Sequence, residues 1–344
     1  MRAEQLQAWV QQELTQRQWI GTEPLQFSLL STDAGFRRYY RLNIEPSLLA
    51  VDAPTDSEDS RTFVRVAQFL RTQGIGAPKV LAVDYDKGFL LVEDFGDGLL
   101  LNQLSPSTVE GLYAKALSTL LQIQQCPYEA HLVPVYDETR LREELILFGD
   151  WFVGKLLHYS LSATEQEILD KLFDQLVQSA MEQPRLLVHR DYHSRNLLVR
   201  NDKSLGVLDF QGALWGPLTY DLVSLLRDCY VCWPLEDVQR WAITYGEMAV
   251  EAGLVSSFQQ QDYLRWFDWM GLQRHLKVLG IFARLSLRDH KPGYLNDLPL
   301  VVRYVLEVAA NYTLLTPFVA WFKAQLLPRM QTQEWYTDYT KAGE

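Results

Sequence analysis

The chain has 344 residues, of which 48% are hydrophobic and 22% charged. This composition excludes disordered and low-complexity classes, and at roughly 150 residues per domain the length suggests two lobes or one large domain. The 32 Lys and Arg residues against 43 Asp and Glu give a net charge of −11, which argues against a general nucleic-acid binder. Three cysteines suit a reducing cytosol, and no stretch approaches a membrane span of about 18 apolar residues. We therefore expect a cytoplasmic protein whose partners include neither nucleic acid nor membrane.

The N-terminal part is predicted to be rich in short strands. An amphipathic helix is expected over residues 3–20, because Leu6, Val10 and Leu14 are spaced four apart. Strands are predicted at Phe27–Leu30, Arg38–Ile44, Leu48–Val51, Lys79–Asp84 and Phe89–Glu93. A helix over Ser60–Arg71, with Ser60 as its cap, is expected among them.

From Asn102 onward the pattern becomes mainly helical. Helices are predicted over residues 107–124, 138–157, 164–182, 218–231, 236–252, 260–288 and 297–325, with short strands at Leu186–Val188, Leu197–Val199 and Gly206–Leu208. The sequence thus predicts an α+β fold with a small, β-rich lobe over residues 1–95, which has one main helix. A larger, mainly helical lobe is expected over residues 96–344.

Residues suited to phosphoryl transfer are concentrated between His189 and Asp209. Asp191 is followed by Asn196 after five residues, and Asn196 by Asp209 after thirteen. Phosphoryl transfer needs one carboxylate that orients the attacking hydroxyl and takes its proton. An amide oxygen and a second carboxylate hold Mg²⁺ against the nucleotide phosphates. The alternative is that each polar residue merely stabilises a turn or caps a helix.

This pattern resembles the catalytic and metal-binding segments of the protein-kinase-like superfamily, H-x-D-x-x-x-x-N followed by D-F-G. Asp209-Phe-Gln departs from D-F-G only at its third residue. A protein kinase would have a long activation segment at this point, whereas here Gly216-Pro-Leu-Thr-Tyr-Asp221 follows almost at once. The chain is therefore similar to the aminoglycoside phosphotransferase and choline kinase-like branch, whose members phosphorylate small molecules.

The resemblance implies a protein-kinase-like two-lobe fold, with nucleotide binding in the lobe over residues 1–95 and catalysis and substrate binding in the lobe over residues 96–344. It also implies ATP and Mg²⁺ as cofactors and specific roles for five residues. Asp191 would be the catalytic base, and Asn196 and Asp209 would hold the metal. His189 would fix the catalytic loop. Asp221 would support that loop by accepting backbone N–H bonds, although a cap on the following helix is an equally good interpretation.

The loop Ser31–Arg41 lies where a phosphate-covering loop belongs in such a fold. The backbone N–H groups of Ala34, Gly35 and Phe36 could face the phosphates, and a plain hairpin is the alternative. The strand expected to carry the phosphate-binding lysine reads Leu49-Ala-Val-Asp52 instead, and helix 60–71 offers no clear glutamate partner.

The usual Lys–Glu pair is therefore predicted to be absent, and either Arg41 or Arg38 would supply the cation. The stretch Leu90–Gly96 resembles the hinge of such kinases. Its residues Glu93, Asp94 and Phe95 would contact the nucleotide, with the backbone binding adenine.

The substrate side is predicted within Trp266–Leu298, a basic, aromatic-flanked segment inside an acidic protein. A basic pocket suits a neutral or anionic substrate, because Arg or Lys pairs with a carboxylate. The alternative is a helix face that points into solvent. The candidates for substrate contact are Arg274, His275 and Lys291, together with His193 and Arg195 from the catalytic segment.

Together with Asp209–Pro217, this basic segment resembles bacterial anomeric kinases of N-acetylmuramate and N-acetylglucosamine. The resemblance implies ATP-dependent phosphorylation of the anomeric hydroxyl of these sugars in peptidoglycan recycling, and a small-molecule sugar as partner. Two alternatives stay open. One is a kinase of another small alcohol, such as an aminoglycoside, choline or a homoserine-like compound, and the other is a pseudokinase that only binds.

Overall fold

The computed structural model describes residues 2–20, 25–30, 36–56, 58–257 and 259–343. The chain divides into two compact units. The first comprises Met1–Ile123 and Arg195–Gly212, and the second comprises Gln124–Ser194 and Ala213–Glu344. The first unit thus extends past residue 95 and includes a second segment of the chain. The assignment of nucleotide and substrate binding to the two lobes stays a prediction.

The first unit contains a five-stranded antiparallel sheet with helices packed against it. Its N-terminal segment forms α1 (Arg2–Gln16), β1 (Phe27–Leu29), β2 (Arg38–Leu42), β3 (Leu48–Asp52), α2 (Ser60–Thr72), β4 (Val80–Asp84), β5 (Phe89–Glu93), α3 (Leu100–Gln103) and α4 (Val109–Gln124). The strand order is β1-β2-β3-β5-β4. Leu6, Val10 and Leu14 of α1 lie on one helix face and share an apolar core with Ala50 and Leu91 of the sheet.

The residue that caps helix α2 lies one position before the predicted cap, Ser60. The Asp59 side chain, not that of Ser60, accepts the backbone N–H groups of Arg61 at 2.9 Å and Thr62 at 3.1 Å. Both residues are of types that favour the N-cap position, so the pattern alone did not separate them. The predicted apolar face is confirmed, because Phe63 is buried.

The second segment of the first unit is a hairpin of β7 (Leu197–Val199) and β8 (Leu205–Val207). Its backbone joins the N-terminal segment, because the Val207 N–H donates to the Gly76 carbonyl at 2.8 Å and the Val199 N–H to the Gly98 carbonyl at 2.7 Å. Gly206 is required here, since a Cβ at this position would collide with the Phe95 ring.

The second unit is mainly helical. It contains α5 (Glu138–Leu147), a π-helical stretch (Phe148–Leu156), α6 (Ala163–Glu182), β6 (Arg185–Val188), β9 (Leu214–Pro217), α7 (Tyr220–Leu226), α8 (Leu235–Glu251), α9 (Gln260–Leu287), α10 (Leu298–Ala310), α11 (Thr316–Trp321) and α12 (Leu327–Met330). Helix α9 packs against α5, α6, α7, α8 and α10, and all of its residues from Trp269 to Gly280 are buried. The expected α+β fold, with a strand-rich first part and a helical second part, is confirmed.

Two predicted helices of the second unit differ from the observed ones, and one observed strand was not predicted. The helix expected over 297–325 is interrupted after Ala310, and α11 starts anew with Pro317 in its first turn, where the missing N–H costs nothing. The helix expected over 218–231 ends at Leu226. Strand β9, which pairs antiparallel with β6, was not expected, because Gly216-Pro217 is more typical of a turn.

Among the described residues, no single helix is long and apolar enough to span a membrane. Two consecutive helical segments, Pro292–Ala310 and Thr313–Met330, reach the length and apolar composition of a membrane span only when taken together, and they meet at a bend of 118°.

Candidate active site

Two buried carboxylates of the second unit hold the segment that follows β6. Asp221 accepts the backbone N–H of His189 at 2.6 Å through Oδ2 and that of Arg190 at 2.9 Å through Oδ1. Asp228 Oδ2 accepts both the N–H of Ser194 at 2.9 Å and its hydroxyl at 2.5 Å. Each carboxylate therefore fixes one end of the stretch that carries Asp191.

Asp221 makes the contacts that the family resemblance implies for it. It lies in the first turn of α7, but its carboxylate binds the loop rather than that helix's own N-terminus. Burial raises the pKa of Asp221 to about 7, although the N–H groups of His189 and Arg190 act in the opposite direction. Sequence reasoning missed Asp228, which follows α7 and carries no motif of its own.

Arg190 holds the backbone geometry next to Asp191. Its φ of +77° lies in the left-handed region, which is costly for a residue with a Cβ and is found mostly where function requires it. Its guanidinium makes an ion pair with Glu144, and its Cζ lies 5.8 Å from the centre of the Tyr136 ring. These contacts compensate the strained backbone.

The Asp191 carboxyl is half-buried among positive groups of the second unit. Burial raises its pKa, but the charges of Lys277, His193 and Arg190 outweigh that effect, and the pKa lies below its usual value. Asp191 is consequently ionised at neutral pH. An ionised carboxylate can accept a hydrogen bond from a substrate hydroxyl and then its proton.

Lys277 and Glu144 form a buried cluster that the sequence did not reveal. Lys277 Nζ donates to the Tyr220 hydroxyl at 2.8 Å and lies 3.2 Å from Glu144 Oε1. Glu144 also accepts the Tyr136 hydroxyl. Burial raises the pKa of Glu144, but Lys277 and Arg190 bring it below its usual value. Lys277 stood out only as one of several basic residues, and Glu144 is an ordinary member of an amphipathic helix pattern.

The structure disfavours two of the predicted substrate contacts. Arg274 is buried within α9, and its Nη1 lies 3.7 Å from the Cys229 sulfur. His275 has no exposed surface, stacks on Tyr304 at 4.9 Å, and its Nε2 lies 3.0 Å from the Arg227 carbonyl oxygen. Burial lowers the pKa of His275 to about 3, so the ring is neutral. Both side chains pack the interior of the unit.

The other three substrate candidates remain partly accessible. Lys291 follows the end of α9 and is half-buried. The His193 ring meets the Tyr230 ring edge-on at 5.5 Å and is half-buried. Arg195, also half-buried, is the first residue of the hairpin segment in the first unit. Their role in substrate binding stays a prediction.

The two predicted metal ligands lie together at the open end of the β7–β8 hairpin. Leu197 pairs with Val207, and the Leu208 N–H donates to the Asn196 carbonyl at 2.9 Å. This register places Asn196 just before β7 and Asp209 just after β8, at the same end. Asp209 has a φ of +59°, and its Oδ1 accepts Gln211 Nε2 at 2.6 Å.

An amide oxygen and a carboxylate at one hairpin end fit Mg²⁺, which takes few protein ligands and keeps positions for phosphate and water. Within the described ranges, no group of three or more His, Cys, Asp or Glu side chains could hold a metal ion. That Asn196 and Asp209 hold a metal ion stays a prediction, and phosphate oxygens would have to complete such a site.

The predicted nucleotide-binding loop is only partly visible. Ala34 and Gly35 lie outside the described residues. Phe36 has an exposed side chain, and its N–H, expected to face phosphate, donates to Glu58 Oε1 at 3.2 Å. Arg41 is held by Asp94 at 2.5 Å and by Asp97 at 2.8 Å, which disfavours it as a phosphate ligand.

The residues predicted to form the hinge are tied to the hairpin segment of the same unit. Arg200 Nη2 donates to Glu93 Oε1 at 3.0 Å, and its Cζ lies 4.5 Å from the centre of the Phe95 ring. The Asp94 carboxylate binds Arg41 and the Ser47 hydroxyl. These side chains stabilise the segment, so adenine binding here would rely on its backbone.

Two relatives cover nearly the whole chain. The N-acetylmuramate/N-acetylglucosamine kinase of Pseudomonas aeruginosa is 42% identical over 315 residues, which are 90% of this chain and 93% of that protein. The protein of the same name from Pseudomonas putida is 38% identical over 313 residues, 90% of this chain and 92% of its own.

Solved structures share the fold at low identity. The choline kinase LicA from Streptococcus pneumoniae superposes with a TM-score of 0.62 at 12% identity, over 90% of this chain and 100% of that one. The ADP-bound aminoglycoside phosphotransferase APH(2'')-Ib gives a TM-score of 0.57 at 14% identity, over 88% of this chain and 98% of that one. The expected kinase-like fold is confirmed, and the chain is an enzyme that phosphorylates an alcohol group.

A family model for phosphotransferase enzymes matches residues 26–254. The matched range contains the strands of the first unit, the loop with Asp191, the predicted metal ligands Asn196 and Asp209, and Asp221, which holds that loop. Sequence, fold and motif agree, and the chain therefore belongs to the phosphotransferase enzyme family.

Proposed function

We propose that this enzyme is an ATP- and Mg²⁺-dependent kinase that phosphorylates the anomeric hydroxyl of N-acetylmuramate and N-acetylglucosamine in the cytoplasm, for peptidoglycan recycling. The names of the two Pseudomonas relatives support the sugar substrates, at 42% and 38% identity. The ADP-bound fold neighbour supports a nucleotide as phosphoryl donor. The structural observation that carries the proposal is the strongly positive surrounding of Asp191.

That surrounding fits an acidic acceptor hydroxyl. The positive groups keep the pKa of Asp191 low, so its carboxylate is a weak base. An anomeric hydroxyl is more acidic than an ordinary sugar alcohol and needs less help to lose its proton. A weak but well-positioned base is therefore sufficient for this acceptor.

In the proposed reaction, Asp191 accepts the proton of the sugar O1–H as O1 attacks the γ-phosphorus of ATP. The bond from the γ-phosphorus to the β–γ bridging oxygen breaks, and ADP leaves with that electron pair. The products are ADP and the sugar 1-phosphate, and the proton passes from Asp191 to solvent. Asp221 and Asp228 keep the loop that carries Asp191 in place.

Asn196 and Asp209 would hold Mg²⁺ at the hairpin end. When bound, the ion supplies charge neutralisation for the phosphate oxygens. The chain's own contribution is to fix two oxygen ligands at one end of a short hairpin, whose Leu208 N–H to Asn196 hydrogen bond limits their separation.

A substrate panel with phosphorus NMR of the product tests this proposal. N-acetylmuramate and N-acetylglucosamine should give a 1-phosphate, and the 6-deoxy analogue of N-acetylglucosamine should also react. The methyl glycoside, whose anomeric oxygen is blocked, should not. A 6-phosphate product, turnover of the methyl glycoside, or activity confined to aminoglycosides would contradict the proposal.

A further inference from the structure

We propose that Arg37 binds the phosphates of the nucleotide and that Glu58 holds its guanidinium in place. The inference rests on the proposed ATP-dependent function and identifies a residue that sequence reasoning did not find. Another cation is needed at the phosphates, because β3 carries Asp52 where kinases of this fold have a phosphate-binding lysine.

The Asp52 side chain lies between α1 and the sheet and pairs with a residue of α1. It is buried, and the Arg2 Nε lies 2.6 Å from its Oδ1. Side chains alternate along a strand, and Tyr40 and Leu42 of β2 pack into the α1 core. The odd-numbered residues around β2, which include Arg37 and Arg41, consequently face away from α1.

Arg37 makes a buried ion pair with Glu58. Its Nη2 lies 3.1 Å from Glu58 Oε2, and the two side chains are only 7% and 15% exposed. Glu58 also accepts the Phe36 N–H at 3.2 Å. Removing two charges from water is costly, and a hydrophobic pair would often serve stability as well. A buried Arg–Glu pair at this place in the fold therefore calls for a functional reason.

The guanidinium lies close to the segment that carries Asp209. Arg37 Cζ is 4.9 Å from the centre of the Phe63 ring, and Phe63 stacks at 5.0 Å on Phe210, the residue after Asp209. Both charges act on Tyr39: burial raises its pKa, Arg37 lowers it and Asp209 raises it. The cation is thus on the same side of the sheet as the proposed metal ligand.

The chemistry of the pair suits phosphate binding. Guanidinium has five N–H donors in one plane; the ion pair with Glu58 involves Nη2, and the Tyr39 hydroxyl takes a further donor. The remaining donors match the spacing of two phosphate oxygens, and a bidentate contact of this kind is charge-assisted. Arg41 is already neutralised by Asp94 and Asp97, so it does not compete for this role.

The test compares affinities for ADP and adenosine by calorimetry on the full chain, without sugar. Arg37→Met should weaken ADP binding by about 10- to 150-fold, the loss of a charge-assisted hydrogen bond, and leave adenosine affinity within about threefold. Arg61→Met, an exposed arginine of α2 that stacks on Tyr85, is the matched control and should change neither.

Two further variants keep the test decisive if Arg37→Met fails to fold. Arg37→Lys should recover part of the ADP affinity, and Glu58→Gln should lower it by releasing the guanidinium. Equal losses of ADP and adenosine affinity, or an ADP affinity that these changes leave untouched, would overturn the inference. A chain that binds ADP through Arg37 but phosphorylates no amino sugar would contradict only the proposed function.

Discussion

Lys277 Nζ lies 3.2 Å from Glu144 Oε1 inside the second unit, and both side chains are almost fully buried. Glu144 neutralises part of the Lys277 charge. Lys277 still lowers the pKa of Asp191 more than any other charged group does. A pair that looks purely structural thereby acts on the pKa of the proposed catalytic base.

Replacing Lys277 should change the pH dependence of catalysis. In Lys277→Met the pKa of Asp191 should rise, because its strongest favourable charge is removed. The acid limb of the pH profile of kcat/KM should therefore move to higher pH, which steady-state rates would show when measured from pH 8 down to about pH 4, close to the usual pKa of an Asp. Lys277→Arg keeps the charge and is the control. An acid limb that stays in place in Lys277→Met would contradict this role.

Asp191 should be essential for turnover. Asp191→Ala removes the proton acceptor, and the usual contribution of a positioned base predicts a fall in kcat of about 10²–10⁴-fold. Asp86→Asn, in an exposed turn, is the matched control. A kcat for Asp191→Ala within about threefold of the unchanged enzyme would show that another group takes the proton.

Asp209 should be needed for divalent metal. Asp209→Asn removes the carboxylate charge and should abolish turnover and Mg²⁺ binding while the thermal unfolding midpoint stays close to that of the unchanged chain. Asp202→Asn lies in the turn at the other end of the same hairpin and should keep both. Turnover that persists after complete removal of divalent metal would contradict the assignment.

Asp221 should contribute to both stability and rate. Asp221→Asn keeps the shape but offers one acceptor oxygen to two backbone N–H groups, and its amide faces one of those donors. A buried donor left unpaired costs about 1–3 kcal/mol, which urea unfolding would measure, and kcat should fall as the loop loosens. Unfolding free energy and kcat that both match the unchanged enzyme would exclude the supporting role.

His275 should make the fold sensitive to mild acid. Its pKa is about 3 in the folded chain and 6.5 as the reference value, so the unfolded state takes up the proton first as pH falls. Stability should therefore decrease below about pH 6.5, by about 1 kcal/mol between pH 7 and 5.5.

His275→Gln can still donate to the Arg227 carbonyl but does not titrate. In this variant, the free energy of unfolding in urea should therefore differ less between pH 7 and pH 5.5 than it does in the unchanged chain. His131→Gln, at an exposed site, should retain it. An identical pH difference in His275→Gln would mean that other groups carry the acid sensitivity.

The sequence was most informative where a single motif contains the residues suited to phosphoryl transfer. The spacing of Asp191, Asn196 and Asp209 identified the family, and hydrophobic periodicity located most helices and strands. It failed for groups brought together by packing alone. Glu58 precedes α2 rather than lying within it, and Arg37 precedes β2, so neither matched the expected strand lysine and helix glutamate.

The sequence pattern also could not show which basic residues of α9 are buried. Arg274 and His275 look like a basic surface because a helix in an acidic protein usually turns such residues outward. Helix α9 instead runs through the unit with neighbours on several sides, and its polar residues find partners inside. Lys277, three positions after Arg274, faces Tyr220 and Glu144 for the same reason.

The division of the first unit into two chain segments has a consequence for its synthesis. The carbonyls of Gly76 and Gly98 accept the N–H groups of Val207 and Val199, which the ribosome adds after the whole of the second unit's first segment. A nascent chain that has reached Ile123 therefore contains the five strands of the sheet but lacks the hairpin with Asn196 and Asp209. The proposed metal ligands are added to this unit only late in translation, and we expect a fragment ending at Ile123 to lack the proposed metal site.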